Sequence, residues 1–446
     1  MKILVIGGGG REHAIVRKLN ESPRRPEIYV APGNGGIARE AHCVPIAATD
    51  IDALVAYAVE HAIDYVVVGP DDPLVLGAVD ALEEAGIPSF GPTKAAARLE
   101  GSKAFAKDFM KRHDIPTAMS RTFDDEAHAL KFLQTAPMPI VVKADGLALG
   151  KGVTIATTRE EARTAVRESM SEGRFGASGH RIVIEEFLVG PEVSVLAFCD
   201  GQTIKPMVPA ADHKRVGDGD TGPNTGGMGA VAPIAMYTEE LAKECMRTIF
   251  EPTVRGMSAE GMPFKGCLYV GLMLTQDGPR VIEYNCRFGD PETQVVLELL
   301  QSDLLDIMEA TTNGTLAQTR VEFSDGGAAC IIMASGGYPG PIECDHPIDI
   351  PQDIVSRVRV AGARNDAGSL VTAGGRVLGV VGTAPTLDEA VDLAYADIAR
   401  ITFKDAHYRT DIGAQHIQRA TPVPTAPLEE DAPGQGGPVL VEEIRN

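Results

Sequence analysis

Apolar positions in this chain fall into two patterns. Short contiguous runs, Lys2–Ile6, Ile28–Val30, Tyr65–Val68 and Ile87–Phe90, end in glycine or proline turns, as strands buried on both faces do. The stretches between them carry helical spacing. Strands alternating with helices predict an α/β chain that opens with a small, Rossmann-like parallel sheet covered on both sides. Its ligand edge would collect the loops at Gly8, Asn34 and Gly69. An amphipathic helix is then expected over Lys94–His113, followed by the linker-like Asp114-Ile-Pro-Thr117. Further strands are expected at Ile140–Lys143, Val153–Ala156, Arg181–Ile184, Tyr269–Leu274 and Val281–Asn285, with a helical region from Tyr237. The capping box Thr158-Arg-Glu-Glu161 opens a helix, and Thr386-Leu-Asp-Glu389 opens another. From about Val321 a last α/β unit appears, with strands Ala328–Met333 and Val377–Val381 and the turn Gly336-Gly-Tyr-Pro-Gly340. Beyond Ala420 proline, glycine and acidic residues leave too little apolar surface to fold. The expected division is therefore 1–102, 103–320 (with a subdomain at about 115–190), 321–420 and a disordered tail, 421–446.

Composition narrows the class. At 446 residues the chain is too long for one core. With 44% hydrophobic and 23% charged residues it reads as a soluble enzyme. No apolar run approaches the roughly 20 residues needed to span a bilayer, and the start lacks a signal-peptide pattern, so a cytoplasmic protein without membrane partners is expected. A formal charge of −21 argues against nucleic acid. An anionic substrate must therefore meet local clusters of cations. The seven cysteines show neither C-x-x-C pairs nor zinc spacing and read as reduced thiols, most of them in the core.

Candidate chemistry concentrates in Val281–Gln294. Strand alternation puts Glu283 and Asn285 on one face, about 7 Å apart. A carboxylate beside an amide carbonyl suits magnesium, which keeps room for phosphate oxygens. Arg287 adds a planar fork for a carboxylate or phosphate. The alternative is an edge strand of solvated polar residues ahead of a Gly-Asp-Pro turn. The loop Gly7-Gly-Gly-Gly-Arg-Glu-His-Ala14 stands at a strand–helix turn, where backbone N–H groups can meet a phosphate. A dinucleotide fingerprint fails there, because His13 occupies the last glycine position and the second strand ends in Ala31-Pro-Gly-Asn34 without an acid. A monophosphate site or a structural turn both remain open. Ala144-Asp-Gly-Leu-Ala-Leu-Gly-Lys-Gly152, with Lys143 below it, could fold over a triphosphate but is not a Walker A loop.

The order of these parts resembles the ATP-grasp superfamily: Lys103 ahead of the domain, Lys143 on a strand, a glycine loop, the hinge Glu185-Glu186-Phe187-Leu188, then paired metal ligands. The blocks Asp212-His213-Lys214-Arg215 with Gly222-Pro-Asn-Thr-Gly-Gly-Met-Gly229, Arg287-Phe-Gly-Asp-Pro-Glu-Thr-Gln294 and Gly8–Ala14 resemble the phosphoribosylamine–glycine ligase family over about residues 1–413. Asp71-Asp72 and Leu149 depart from that family's usual residues. The resemblance implies three domains, the second an ATP-grasp domain. It further implies ligation of glycine to 5-phosphoribosylamine through glycyl phosphate in purine biosynthesis, with ATP and Mg2+ (or Mn2+), by a monomer.

Residue roles follow from the same resemblance. Lys103, Lys143, Gly146, Gly150, Lys151 and Gly152 would hold the phosphates. Glu185, Glu186, Phe187 and Leu188 would hold the adenine, Glu192 the ribose, and Glu283 with Asn285 the metal. Arg287 would clamp glycine, while Asp212 and Lys214 position the amine. His213, Asn224, Thr225, Gly226, Gly227, Met228, Gly229, Asp290 and Glu292 would line the substrate site, and Gly8, Gly10, Arg11, Glu12 and Asn34 the phosphate end of phosphoribosylamine. His213 is also a candidate base, and Arg364 reads as a surface residue. Another carboxylate–amine ligase of the superfamily and a non-catalytic nucleotide sensor are the competing readings.

Overall fold

The computed structural model describes residues 1–147 and 152–417. Gly150, Lys151 and the tail 421–446 lie outside the described residues.

The first sheet is parallel throughout, in the order His42–Cys43, Glu27–Pro32, Lys2–Gly7, Tyr65–Val68, Ser89–Phe90. Its alternation explains the contiguous apolar runs. Ile3 and Val5 pack with Ile15, Val16 and Leu19 of the helix Gly10–Asn20, whereas Leu4 and Ile6 pack on the other face with Leu54, Ala58 and Leu82. Strand order reverses beside Lys2–Gly7, which places a crevice at the carboxyl ends, where Gly8, Gly33 and Gly69 meet.

The helix expected over Lys94–His113 is two helices, Lys94–Gly101 and Lys103–Arg112. Ser102 is extended and caps the second, accepting from Phe105 N at 3.1 Å. Its hydroxyl also donates to Asp145 at 3.0 Å, so the break is fixed from a distant loop.

Two antiparallel sheets follow. The smaller runs Ser120–Phe123, Ile182–Glu186, Ile140–Ala144, Val153–Ala156. One face, with Ile140, Val142, Ala156 and Ile184, packs on the helices Glu126–Phe132 and Arg159–Met170. The larger runs Ile204–Pro206, Glu192–Asp200, Lys265–Thr275, Gly278–Asn285. Both expected capping boxes form.

The fourth sheet joins distant parts of the chain: Ala211–Asp212, Gly229–Ala232, Gly327–Ala334, Arg376–Ala384, Val358–Val360. The glycine-rich segment between 211 and 232 therefore pairs with the C-terminal unit. Among the described residues no helix is long and apolar enough to cross a membrane, and all seven cysteines are free, five of them buried.

Candidate active site

The larger antiparallel sheet has one apolar face and one that is polar at a single end, Leu196, Phe198 and Cys267 on the same face entering a second core. Val193, Val195, Leu268, Val270, Leu272, Val281 and Tyr284 enter the core. A bulge at Ile282, where Val281 pairs with Leu272 but Glu283 pairs with Gly271, lets Val281 and Tyr284 both point inward. Glu283 and Asn285 then share the opposite face with Glu192, Ser194 and Tyr269, as the register of the three strands requires. Gly271 opposes Glu283, and a Cβ there would sit 3.4 Å from the glutamate stem.

Charge on this face is dense. Burial opposes ionisation of Glu283, yet Lys214, Lys143, Lys103 and Arg287 together hold its carboxyl below the ordinary range. Lys214 bonds Glu192 at 2.6 Å. Burial works against the Lys214 charge too, but Asp212, Glu192 and Glu283 raise its pKa well above the usual lysine value. Asp212 is pushed up to about 7 by burial, against the pull of Lys214 and with help from Glu292, Glu192 and Glu283. Glu292 is buried and accepts from Tyr269 Oη at 2.7 Å, which also bonds Ser194 at 2.7 Å.

The small sheet turns its uncovered face toward the bulge. Register aligns Val141, Ile155 and Glu185 in one row and Lys143, Val153 and Val183 in the next. An apolar wall carrying one lysine and one glutamate results. Lys143 Nζ donates to Ile282 O at 3.1 Å and lies 3.0 Å from Glu185 Oε2. Lys107 reaches the same oxygen at 3.1 Å, and burial, against the pull of Glu185, brings its pKa down to about 8. Lys103 Nζ donates to Gly146 O at 2.9 Å, and Gly152 O accepts from Ala144 N at 2.8 Å at the base of the glycine loop. Past Glu185 the hinge opens. Glu186 exchanges bonds with Met119, while Phe187 and Val189 are exposed.

Arg287 is held before any ligand arrives. Its Nη2 lies 2.8 Å from Glu100 and 3.0 Å from Asn285 Oδ1, with Asp71 at 3.9 Å. Its Nε is buried without a partner, as is Glu185 Oε1. Orphaned polar atoms of this kind are costly unless a ligand completes them. Among the described residues no three or more His, Cys, Asp and Glu side chains are placed to hold a metal ion by themselves. A metal here would rest on Glu283 and Asn285 with nucleotide oxygens completing its shell, which fits magnesium.

Several expected site residues have other duties. Glu12 is 1% exposed and caps its own helix, accepting from Gly9 N at 2.6 Å and Arg11 Nε at 2.5 Å. That carboxylate takes the place at the helix terminus reserved above for phosphate, and Arg11 also binds Phe288 O at 3.2 Å. Gly8 and Gly9 stay partly exposed, whereas Gly10 is buried against Gln294. The Asn34 amide is fully engaged, donating to Gly8 O and Val360 O and accepting from Gly36 N and Ile37 N. Thr225 ties the loop to Lys214 O at 2.9 Å. Met228 is 0% exposed and belongs to the core, and Gly229 pairs with Ile331 in the fourth sheet. His213 Nε2 accepts from Gly413 N at 3.2 Å. Burial, with Arg409 and His416 nearby, lowers its pKa to about 4, which suits a structural hydrogen bond and not a base. Arg364 is exposed and paired with Asp345 at 2.7 Å.

Sequence reasoning missed Glu100, Lys107, Ser194 and Tyr269. Only Lys107 left a local trace, four residues after Lys103 on the same helical face.

Comparison with known proteins places this geometry. Residues 1–100 match the family model "Phosphoribosylglycinamide synthetase, N domain", residues 101–293 its ATP-grasp (A) domain and residues 328–415 its C domain. The chain is 49% identical over 423 residues to the phosphoribosylamine–glycine ligase of Rhizobium meliloti (strain 1021), covering 94% of this chain and 100% of that one. It is 49% identical over 425 residues to the enzyme of the same name from Allochromatium vinosum, covering 94% and 99%. The crystal structure of phosphoribosylamine–glycine ligase from Thermotoga maritima superposes with a TM-score of 0.81 at 33% identity, covering 92% of this chain and 100% of that one. A biotin carboxylase domain from Hydrogenobacter thermophilus, at 16% identity and a TM-score of 0.71, shares the fold. The chain belongs to the phosphoribosylamine–glycine ligase family.

Proposed function

We propose that the chain joins glycine to 5-phosphoribosylamine at the expense of ATP, giving glycinamide ribonucleotide, ADP and phosphate, and that the crevice between the two antiparallel sheets does the chemistry. The observation that carries this reading is the convergence of Lys103, Lys143, Lys214 and Arg287 on Glu283. Four cations around one carboxylate, beside an apolar wall, suit a polyphosphate whose base lies against Val141, Val153 and Ile155.

Lys103 and Lys143 neutralise the phosphates. Glu283 and Asn285 would hold magnesium, which would offset the charge that develops on the transferring phosphoryl group. The Glu185–Leu188 hinge takes the adenine, with the unpartnered Glu185 Oε1 as an acceptor for an exocyclic N–H, and Glu192 takes the ribose. Arg287 Nε turns toward the glycine carboxylate, while Glu100 steadies the other edge of the guanidinium. A carboxylate oxygen of glycine takes the γ-phosphoryl group and ADP leaves. The amine of phosphoribosylamine then displaces phosphate from the acyl carbon and must shed a proton. Asp212, with a pKa of about 7 beside Lys214, is suited to accept it. The Asn224–Gly227 segment, Asp290 and the partly exposed backbone of Gly8 and Gly9 bind the phosphoribosyl part. Cytoplasmic location and a monomeric state belong to the same proposal.

The test is ADP release by the purified chain with phosphoribosylamine generated in situ, across a panel of carboxylates and amines. Turnover confined to glycine with phosphoribosylamine is expected. Faster turnover of another pair would assign a different ligase, and ATP binding without turnover would leave a sensor.

A further inference from the structure

The C-terminal unit contributes two side chains to which the reaction above gives no task. Both close on the backbone of one residue, Gly226, from its two sides. Tyr338, in the turn Gly336–Gly340, accepts the backbone N–H of Gly226 at its hydroxyl, 3.1 Å away. Arg376 Nη1 donates to the carbonyl of the same Gly226 at 2.7 Å and to the carbonyl of Asp290 at 2.9 Å. Its Nη2 stands 3.2 Å from the Asp290 carboxylate. The fit leaves no spare room. A Cβ on Gly226 would lie 3.0 Å from the guanidinium carbon, and one on Gly375 would lie 2.3 Å from the Tyr338 ring.

Asp290 carries the contact onward. Gln294 donates to it at 2.8 Å, and a Cβ on Gly9 would lie 3.4 Å from its Oδ2. Arg376 thus stands where the N-terminal glycine loop, the long glycine-rich loop and the turn after the metal strand meet. Gly226 and Gly227, the latter at φ +109°, make the loop costly to order from within. A planar fork grips two carbonyls and a carboxylate in a fixed geometry, which an ammonium on a flexible stem holds less rigidly.

We propose that Arg376, with Tyr338, is a positioning residue that holds the Gly226–Gly227 segment against Asp290 in the shape that accepts 5-phosphoribosylamine. The C-terminal unit thereby sets recognition of the amine substrate without touching ATP or glycine. This rests on the assignment of the Asn224–Gly227 segment to that substrate.

Steady-state kinetics on Arg376→Gln, Arg376→Lys, Tyr338→Phe and Asn224→Ala, each checked by thermal melting, test it. Arg376→Gln raises KM for phosphoribosylamine at least about tenfold, the order of one lost charge-assisted hydrogen bond, with KM for ATP and glycine within about twofold of the parent. Arg376→Lys recovers part of that loss, and Tyr338→Phe raises the same KM about two- to tenfold. Equal rises for all three substrates overturn the proposal, as does an unchanged phosphoribosylamine KM in both Arg376→Gln and Tyr338→Phe. Should Arg376→Gln not fold, the smaller Tyr338→Phe change decides. Asn224→Ala separates the two failures. An unchanged phosphoribosylamine KM there removes the segment from the substrate site, whereas a raised one beside an unaltered Arg376→Gln removes only the clamp.

Discussion

Glu100 offers the most quantitative check on the site. It is buried, accepts from Cys286 N at 2.7 Å and lies 2.8 Å from Arg287. Burial lifts its pKa from the ordinary 4.5 to about 7, even against the attraction of Arg287 and with Asp71 adding to the rise. Because the folded value is raised, the folded protein holds this proton more tightly than the unfolded chain does. The cost of ionising Glu100 is therefore absent at acid pH, grows as pH climbs from about 4.5, and is complete above about 7. At about 1.4 kcal/mol per pH unit the full cost is about 3 kcal/mol, of which about 2 kcal/mol accrues between pH 5.5 and pH 8. Glu100→Gln cannot ionise and should lose that slope. Its absolute stability depends on whether the amide oxygen keeps Cys286 N or Arg287, but the slope does not. Urea unfolding of parent and variant at a series of pH values reads the difference directly. The variant is expected to gain about 2 kcal/mol on the parent across that window, while its KM for glycine rises because the Arg287 guanidinium no longer has a charged anchor. Parallel stability curves for the two proteins would refute the argument, since Glu100 would then not titrate in this range.

Three further outcomes are expected. Glu283→Gln should lower turnover by about a hundredfold or more and raise the magnesium concentration needed for half-maximal ADP release, as one ligand charge is lost; an unaltered magnesium titration would move the metal elsewhere. Arg287→Lys should raise KM for glycine about ten- to hundredfold with ATP little affected, because the fork is lost and the charge kept; the reverse pattern would put Arg287 on the γ-phosphate. His213→Gln should keep turnover within about fivefold and leave the pH profile of kcat/KM unchanged, since a group with a pKa of about 4 does not titrate near neutrality. A limb near pH 6–7 that disappears in that variant would restore His213 as a base.

What could be read in the sequence was whatever local pattern decides. The parallel sheet was legible because burial on both faces makes its strands contiguously apolar. Glu283 and Asn285 were legible because strand parity is local, although the bulge that turns Val281 and Tyr284 to the same side was not. The break at Ser102 was hidden. Ala96, Leu99, Ala106, Phe109 and Met110 continue the apolar stripe across it, and the bond that fixes it comes from Asp145, 43 residues away. The present partners of Glu12 and Asn34 differ in this respect: Gly9 N is a local contact three residues from Glu12, whereas Val360 O reaches Asn34 from 326 residues away and leaves no trace in the sequence. Met228, inside a loop that looks wholly solvated, is core because its neighbours arrive from the C-terminal sheet.

The pairing of Gly229–Ala232 with Gly327–Ala334 also sets an order of assembly. During synthesis the first sheet can close as soon as Ser89–Phe90 has emerged, and the nucleotide crevice once Gly278–Asn285 has. The segment from Ala211 to Ala232 must wait for strands about a hundred residues later, and His213 for Gly413, 200 residues on. At about 5–20 residues per second that delay is about 10–40 s. Pairings of such separation are also slow to form. On the site assignment proposed above, a nascent or truncated chain acquires a place for ATP before it has a place for the amine, and it cannot complete the ligation until the last unit has docked.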